Sequence, residues 1–447
     1  LFSVIDLFII NHSILCKFQT FSFNSFFENS RPRVCGDTIL FAVRGSYASA
    51  GLPPKNISDS FYDRSTTVGK LSNVSKVVFN PDGELFAVRG AELYRGSMPS
   101  NGGQDWFSTA KRVGKTDWDK FKFLLIDPLG VLYAVTKNGE LYKGPAPSNE
   151  NVSWLYGEAT KVGTSGWSKF DNLFFDLNGN LYAVTDDDKL VMGSPPTKPD
   201  DRWLDSSTTV GKGGWRVLSH FMAVSTDEAL WCVDSRNGNI YKGPIPTKDD
   251  TSCYLYRAEK LGWSYNMYPL MSFTIDKTML SIVSCEFLPE LGKIASQTTE
   301  VVQTQIYVNR SSSPLKHSFT FSKTLTEIST FSQDHEFTVA AGAELTFKGG
   351  VPFIAETEAK IFINVSTTHS WNFKKENQTQ TTFSSSTDVE VPAGRAIRMI
   401  ASVTRGEMDV PYRMVISTLF GFKTTITGIW QGVNRYNLMV TQEDYKP

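Results

Sequence analysis

The stretch Leu181-Tyr182-Ala183-Val184 decides the fold of this chain, because a run of the same kind recurs along the first two-thirds of the sequence. The other copies are Leu40-Phe41-Ala42-Val43, Leu85-Phe86-Ala87-Val88, Leu132-Tyr133-Ala134-Val135, Leu230-Trp231-Cys232-Val233 and the degenerate Leu280-Ser281-Ile282-Val283. Successive copies are 45, 47, 49, 49 and 50 residues apart. Self-similarity at a period of this size indicates a repeat architecture.

Two further markers follow the same period, a Gly–Pro punctuation such as Gly144-Pro145 and a Val–Gly or Leu–Gly step such as that at Gly163. Short apolar runs alternate with turn formers such as Asn178-Gly179-Asn180, which predicts about four short strands per unit. Four strands in such a unit are typical of a propeller blade. We therefore predict an all-β fold that begins with a five-bladed β-propeller over residues 36–285, with the closing strand left open. Residues 1–35 form an unassigned N-terminal extension.

The composition excludes several classes of protein. Lys plus Arg is 45 and Asp plus Glu is 46, a net charge of -1, whereas a nucleic-acid partner would require a basic excess. Five histidines and five widely spaced cysteines give no metal-binding spacing, so we expect no metal and no cofactor. Free buried thiols are favoured over a single disulfide. No Ser/His/Asp order or phosphate loop is present, so an enzyme is the least favoured reading.

The repeat resembles the tachylectin family of five-bladed lectins over about 250 residues. The most similar stretch is Val162-Gly163-Thr164-Ser165-Gly166-Trp167-Ser168-Lys169-Phe170, continuing to Leu181-Tyr182-Ala183-Val184. The resemblance implies a propeller that binds N-acetylglucosamine- or N-acetylgalactosamine-type glycans. It also implies one sugar per blade, near the loops that join the outer strands.

A sugar site needs an aromatic surface and a few fixed polar groups, and the tryptophan-bearing loops of the repeat supply both. The predicted carbohydrate-binding residues are Asp105, Trp106, Trp118, Trp154, Trp167, Asp201, Trp203 and Trp215. In the first and last blades Phe61 and Tyr254 replace the first tryptophan, which argues against sugar binding there. The alternative is that the repeated tryptophans serve blade packing.

The sequence changes character after about residue 286. From Ser311 to Thr387, 25 residues are Ser or Thr, and long alternating runs replace the repeat. The segment of about 336–365 contains two alternating arms of about 11 residues each, the length of a strand that crosses a bilayer. Apolar and charged residues on opposite faces are typical of a transmembrane barrel hairpin. An ordinary amphipathic hairpin in an antiparallel sheet explains the alternation equally well.

The two faces of this segment give two sets of predicted residues. The predicted membrane-inserting residues are Val339, Leu345, Phe347, Val351, Pro352, Phe353, Ile354, Ile361 and Ile363. The predicted pore-lumen residues are Glu344, Lys348, Glu356, Glu358 and Lys360. The run from Val351 to Ile354 is predicted to be the turn, where four apolar residues favour a membrane anchor over a soluble hairpin. One hairpin cannot satisfy its own edges in lipid, so several chains must combine theirs.

Residues 295–440 resemble the aerolysin family of β-pore-forming proteins. The matching stretches run from Val351-Pro352-Phe353-Ile354 to Ser370-Trp371, and include Val391-Pro392-Ala393-Gly394-Arg395 and Asp409-Val410-Pro411-Tyr412. The resemblance implies an elongated antiparallel β domain over 286–447 that binds a receptor, assembles into a homo-oligomeric ring and inserts one hairpin per subunit. Rings of seven or eight subunits are implied by the resemblance alone.

These features predict a lectin-targeted pore former that acts on a glycan-bearing target membrane. The alternative is an oligomeric lectin of innate immunity that agglutinates or opsonises without forming pores. Seven Asn-x-Ser/Thr triplets, including those at Asn56, Asn151 and Asn377, suit a secreted protein that becomes membrane-associated on oligomerisation. Cytosolic storage remains an open alternative.

Overall fold

The computed structural model describes residues 38–248, 253–333, 337–355 and 360–446. The chain divides into two compact units, Leu1–Asp276 and Lys277–Pro447. The second unit therefore begins at Lys277 rather than at residue 286, where the repeat pattern fades. The predicted extension over residues 1–35 lies outside the described residues.

The first unit contains five four-stranded antiparallel sheets, which confirms the predicted five-bladed propeller. The first blade contains β1 Thr38–Arg44, β2 Tyr47–Gly51 and β3 Thr66–Lys70, and the second contains β4 Val74–Phe79, β5 Glu84–Arg89, β6 Glu92–Ser97 and β7 Lys111–Gly114. The third contains β8 Phe121–Ile126, β9 Val131–Thr136, β10 Leu141–Pro145 and β11 Thr160–Gly163. The fourth contains β12 Asn172–Phe175, β13 Leu181–Val184, β14 Leu190–Gly193 and β15 Thr208–Gly211. The fifth contains β16 Phe221–Val224, β17 Ala229–Val233, β18 Ile240–Pro244 and β19 Glu259–Gly262.

The ring is closed by β20, Leu270–Ile275, which completes the first blade by pairing with β1 from Thr38↔Ile275 to Val43↔Leu270. The strands β20, β4, β8, β12 and β16 contact one another in a closed circle. The degenerate sixth repeat copy at Leu280 is not part of this circle, since it lies in the second unit. The closing strand, which the sequence left open, is therefore β20.

The recurring Leu–aromatic–Ala–Val runs form the second strand of each blade. In β13, Leu181 and Val184 are both buried, as are the two residues between them. Neighbouring blades cover both faces of such a strand, so its sequence is continuously apolar rather than alternating. The repeat is visible in the sequence because each blade imposes the same burial.

Hydrogen bonds also join the start of the third, fourth and fifth blades to the connection that follows each of them. Lys122 Nζ donates to the carbonyl of Phe170 at 2.8 Å, and Asn172 Nδ2 donates to the carbonyl of Ser219 at 2.9 Å. His220 Nε2 makes the equivalent contact with the carbonyl of Tyr268 at 3.0 Å. Different side chains thus make equivalent hydrogen bonds in successive repeats, which comparison of the repeat sequences alone does not show.

The helical elements of the described residues are single turns. They comprise α1 Phe61–Arg64, α2 Trp203–Ser206, the π turn Trp154–Glu158, and the 3₁₀ turns Trp106–Ser108, Trp118–Lys120, Trp167–Lys169, Arg216–Leu218, Tyr254–Tyr256, Tyr265–Met267 and Pro289–Leu291. Within the part of the chain that the structure describes, no helix has the length and apolar character needed to cross a bilayer. Cys232, Cys253 and Cys285 are free thiols, and only Cys232 is fully buried.

The second unit is built from long antiparallel strands. Its strands are β21 Thr278–Phe287, β22 Lys293–Val308, β23 Leu315–Phe331, β24 Thr338–Val339, β25 Thr346–Ala355, β26 Lys360–Asn372, β27 Asn377–Val391, β28 Ala396–Thr418 and β29 Lys423–Tyr445. Seven of them form one sheet in the order β24-β21-β28-β29-β23-β27, with β22 also paired to β28. β25 and β26 form a separate two-stranded sheet.

The segment that contains this two-stranded sheet lies between β23 and β27, which pair with each other from Leu315↔Val391 to Ser329↔Asn377. The junction after β26 is fixed by Asn377, which is buried. Its Nδ2 donates to the carbonyls of Asn372 at 2.8 Å and Lys375 at 3.1 Å, and its Oδ1 accepts from the Asn372 amide. The hairpin is therefore an excursion from an otherwise continuous antiparallel pair.

The propeller depends on close approach of tryptophan rings to glycines, which gives a first prediction. A methyl group on Gly211 would overlap the indole of Trp215, whereas one on Gly213 would lie 3.8 Å from its nearest neighbour, Asp188 Oδ2. We expect Gly211→Ala to lower the free energy of unfolding of the propeller by about 1–3 kcal/mol, because overpacking must displace the ring. Gly213→Ala should change it by about 0.5 kcal/mol or less. Guanidinium titrations of the full chain, followed by tryptophan fluorescence, measure both; equal effects would contradict the packing role.

A buried carboxyl group makes the second unit sensitive to pH. Glu327 accepts hydrogen bonds from the Arg435 amide at 2.6 Å and from Thr381 Oγ1 at 3.3 Å, and burial raises its pKa. Because the pKa is higher in the folded chain than in the unfolded one, the folded chain binds the proton more tightly. Stability is therefore lost as the pH rises from about 4.3, the unfolded pKa, through the folded pKa.

We expect Glu327→Gln to raise the free energy of unfolding at pH 7 and to reduce its pH dependence in that window. The amide keeps an acceptor for Arg435 and removes the buried charge. Glu300→Gln is the control, since Glu300 is partly exposed and pairs with Arg435 Nε at 2.7 Å. Loss of this partly exposed ion pair should lower the free energy of unfolding by about 0–1 kcal/mol. Unfolding curves between pH 4 and 8 compare the two; a destabilised Glu327→Gln at pH 7 would contradict the assignment.

Candidate functional site

In the second, third and fourth blades, the first tryptophan of the outer loop is directed into the propeller. Trp106, Trp154 and Trp203 begin short helical turns, and their Nε1 atoms donate to the carbonyls of Ser97, Pro145 and Ser194 at 2.8, 2.8 and 2.9 Å. Each carbonyl belongs to the end of the preceding strand or the residue after it. These indole groups hold the loop against its own blade.

The second tryptophan series fills the space between consecutive blades. Trp118 packs on Trp154 of the following blade with ring centroids 5.6 Å apart, and Trp167 packs on Trp203 at 5.4 Å. Trp215 packs in the same way on Tyr254 at 5.4 Å. The two series therefore form one set of inter-blade aromatic pairs.

The structure corrects the predicted role of the tryptophan faces. The six side chains predicted to bind sugar, Trp106, Trp118, Trp154, Trp167, Trp203 and Trp215, are only 3–5% exposed. A ring that is covered on both faces cannot stack on a sugar, so the prediction of an open aromatic surface is wrong for these side chains. The packing interpretation holds, and a contribution of their loops to glycan binding stays a prediction.

The two predicted acids both accept hydrogen bonds from backbone amides of their own loops. Asp201 accepts hydrogen bonds from the amides of Thr197 and Lys198, both at 2.9 Å, and these bonds lower its pKa. Asp105 caps its turn by accepting from the Phe107 amide at 3.3 Å, and its half-exposed carboxylate lies 4.0 Å from Arg89 Nη1. The loop amides thus hold a single oxygen of Asp201, Oδ2, whereas Asp105 bonds its turn through Oδ1 and faces Arg89 through Oδ2.

The exposed aromatic surface of the outer loops comes from residues that sequence reasoning missed. Tyr62, Tyr156 and Tyr256 are 64%, 73% and 89% exposed, and each follows the inward aromatic of its turn by one or two positions. A helical turn that directs one side chain inward directs the next ones outward. That spacing after the repeated aromatic is the signal that could have identified them.

A polar groove lies between the second and third blades and measures about 650 Å³. It is lined by Tyr94, Ala110, Lys111 and Arg112 of the second blade and by Asn149, Glu150 and Asn151 of the third. Arg112 donates to Glu92 and Glu150, each at 2.6 Å. The bond from Arg112 to Glu150 lowers the pKa of Glu150. Amide, carboxylate and guanidinium groups side by side can bind hydroxyls, so the groove is a second candidate sugar site.

The candidate membrane hairpin is a folded, packed element in this conformation. β25 and β26 pair from Thr346↔Asn372 to Ala355↔Lys360, with a register irregularity between Gly349 and Val351. The residues from Val351 to Ile354 therefore lie inside a strand and not at the turn predicted for them. The predicted first arm is not one strand either, since β24 pairs separately with β21.

Most of the predicted membrane-inserting residues belong to the core of the second unit. Leu345, Ile354 and Ile361 are buried. Val339, Phe347, Val351 and Ile363 pack against the same core and Pro352 is buried, whereas Phe353 is half-buried. Glycines make room for two of them, because a methyl group on Gly406 would overlap Ile354 and one on Gly292 would overlap Ile361. The amide of Ile354 also donates to Asn434 Oδ1 at 3.0 Å.

The predicted lumen residues are on the polar side of the element where the structure describes them. Glu344, Lys348 and Lys360 are exposed. Glu356 and Glu358 lie outside the described residues. Among the described residues, no group of three or more His, Cys, Asp or Glu side chains could hold a metal ion.

The two units define a lectin-type propeller joined to an elongated β domain of the toxin type. The chain belongs to the tachylectin family, since a family model described as Tachylectin matches residues 42–270. A second family model, Clostridium epsilon toxin ETX/Bacillus mosquitocidal toxin MTX2, matches residues 261–440, so the C-terminal part is an aerolysin-like domain. Neither is a family of enzymes.

Three solved structures illustrate what the chain is similar to. One, from work on the de novo evolutionary emergence of a symmetrical protein, is 31% identical, with a TM-score of 0.47, and the match covers 53% of this chain and 98% of that one. The lamprey immune protein is 14% identical, with a TM-score of 0.30 and coverage of 71% and 87%. The aerolysin-like protein of Bombina maxima is 14% identical, with a TM-score of 0.24 and coverage of 37% and 99%. The comparison with curated proteins found no match.

The exposed tyrosines give a prediction about sugar binding. We expect Tyr156→Ala and Tyr256→Ala each to weaken binding to immobilised N-acetylglucosamine by about 1 kcal/mol, roughly fivefold in Kd, through loss of an apolar stacking surface. Leu129→Ala is the matched control, because Leu129 is 62% exposed in the turn between β8 and β9. Surface plasmon resonance measures the three variants. If the tyrosine variants bind like the control, these side chains do not form the sugar surface.

Proposed function

We propose that this chain is a carbohydrate-binding pore-forming protein. The propeller binds N-acetylhexosamine-bearing glycans on a membrane, and the C-terminal unit oligomerises there and inserts one β-hairpin per subunit into a transmembrane β-barrel. One observation carries the proposal. A tachylectin propeller shares the chain with a toxin-type unit whose β23 and β27 flank a separately folded, alternating hairpin.

The glycan half of the proposal is supported by the outer loops of the propeller. They present Tyr62, Tyr156 and Tyr256 to solvent, while Asp105 offers a half-exposed carboxylate. An apolar ring beside a few polar groups is the surface that a hexosamine requires. Soluble display of such loops suits a secreted or extracellular protein that becomes membrane-associated when it assembles.

The membrane half of the proposal is supported by the hydrogen-bonding requirement of a strand backbone in lipid. Every backbone polar group in the hydrocarbon region must be satisfied, and only a closed barrel does this for β-strands. One hairpin supplies two strands, so a ring of identical chains is required. The resemblance to aerolysins suggests seven or eight subunits.

The polar face of the inserted hairpin would line the lumen. Glu344, Lys348 and Lys360 are exposed in the folded unit, and the sequence adds Glu356 and Glu358 to the same face. Three acids against two bases per subunit favour cations slightly. Reversal potentials across planar bilayers report this preference.

A second candidate is a lectin that agglutinates without forming pores. It is favoured by the burial of Leu345, Ile354 and Ile361 in the monomer, since a hairpin that completes a core has a structural role already. The two candidates differ in what happens to a sealed membrane.

Phosphatidylcholine vesicles that contain an N-acetylglucosamine-bearing lipid and an entrapped dye separate the two candidates. We expect the protein to release the dye, to leave vesicles without the glycolipid intact, and to be inhibited by excess free N-acetylglucosamine. Detergent-resistant ring oligomers should appear on the leaking vesicles in electron micrographs. Aggregation of glycolipid vesicles without release would support the agglutinin and contradict the pore.

A further inference from the structure

We infer that the hairpin formed by β25 and β26 changes its strand register on entering a membrane, so that its turn and its apolar face differ between the folded and inserted states. This register change would be a further property of the proposed pore former and rests on that function. It follows from two sets of strand pairs that coexist in the folded chain.

The tip of the folded hairpin pairs odd-numbered residues with even-numbered ones. Val351 lies opposite Asn364 and Ile354 lies opposite Ile361, so the two residue numbers of each pair total 715. Directly opposed residues share one face of a two-stranded sheet. Within this tip, even-numbered side chains of β25 therefore share a face with odd-numbered side chains of β26, whereas the base of the hairpin, from Thr346↔Asn372 to Gly349↔His369, pairs residues of equal parity.

The flanking strands β23 and β27 pair with the other parity. Their paired residue numbers total 706 at every position, as for Ser329 and Asn377. Odd-numbered side chains such as Phe319 face the core. Even-numbered side chains form a hydroxyl face, where Thr320 Oγ1 lies 3.1 Å from Ser386 Oγ.

Continuing the β23–β27 register through the enclosed segment unites its apolar residues. Leu345 would lie opposite Ile361, and Ala343 would lie opposite Ile363. The apolar residues of both arms are mostly odd-numbered, so this register makes one face apolar, as contact with lipid requires. In the folded register Ile361 shares its face with Ile354 instead. A change of parity moves one arm's side chains to the opposite face relative to the other arm.

The two registers also reverse the chain at different places. In the folded hairpin the strands continue to Ala355 and Lys360, which pair with each other. In the continued register the chain reverses around Phe353, with Pro352 and Ile354 beside it. Proline lacks an N–H to donate to a strand ladder and favours turns, which suits this position. The apolar tip that the sequence predicts thus belongs to the inserted state.

Phe362 distinguishes the two registers, because its partner changes. In the folded hairpin it lies opposite Phe353, with ring centroids 6.0 Å apart. In the continued register it would lie opposite Glu344. The neighbouring Leu345 carbonyl accepts from the Phe373 amide at 2.9 Å, so folded Glu344 lies near the far end of β26. That end is roughly 30 Å along an extended strand from Phe362.

Two double-cysteine variants of the full chain that share Phe362→Cys test the change, with the native cysteines replaced by alanine. The first adds Phe353→Cys and the second adds Glu344→Cys. Both are oxidised in solution and on the dye-loaded glycolipid vesicles, and disulfides are identified by mass spectrometry while leakage is recorded. We expect the first pair to cross-link only in solution and the second only on leaking vesicles. Oxidising the first variant beforehand should abolish leakage, and dithiothreitol should restore it.

The outcomes separate the register change from pore formation. Leakage with a 353–362 cross-link on the vesicles and no 344–362 cross-link would overturn the register change and leave the pore intact. Absence of leakage from both the cysteine-free chain and the unmodified chain would overturn the proposed function itself. Thr346→Cys with Lys360→Cys is a second reporter of the continued register, should the Phe362→Cys variants fail to fold. Both positions are exposed in the folded unit.

Discussion

Hydrogen bonding along strand edges is the constraint on which both units depend. In the propeller, β20 pairs with β1, so the first blade draws strands from both ends of the repeat region and the ring is complete. The second unit solves the same problem differently, since its long strands form one sheet whose order ends at β27. An edge strand offers unpaired N–H and C=O groups to another chain. The proposed ring of subunits uses this property, whereas the blades of the propeller keep their edge strands to four to six residues.

The sequence predicts the propeller well and its side-chain orientations poorly. Burial on both faces requires the same apolar run in the second strand of every blade, so the repeats of this run predict five blades. The role of the tryptophans is harder to predict, because a spacing repeated from blade to blade is equally consistent with packing and with sugar binding. Trp154 and Tyr156 lie on one short turn, and only the structure shows that Trp154 points inward while Tyr156 is exposed. The side chains that join blades, such as Lys122 and Asn172, vary in type and left no repeat signal.

The hairpin illustrates a different limit of sequence reasoning. Alternation identifies two amphipathic arms but does not fix which residue of one arm faces which residue of the other. The folded unit selects a pairing that buries Ile354 and Ile361 together, so the residues from Val351 to Ile354 lie within a strand and not in the predicted turn. The boundary between the units was displaced for a similar reason, since β21 keeps a Leu-x-x-Val pattern while pairing with β28. An alternating apolar pattern is compatible with several strand registers, and tertiary contacts decide which of them forms.

The buried amide of Asn377 has a consequence for how the chain matures. Both hydrogens of its nitrogen are donated to main-chain carbonyls, yet the residue begins an Asn-x-Ser/Thr triplet. Attachment of an oligosaccharide to that nitrogen replaces one of these hydrogens and places a bulky, hydrated group at a buried position. A chain modified there during synthesis could not complete the junction between β26 and β27. Correct folding thus demands that the oligosaccharide-transferring machinery never acts on this asparagine.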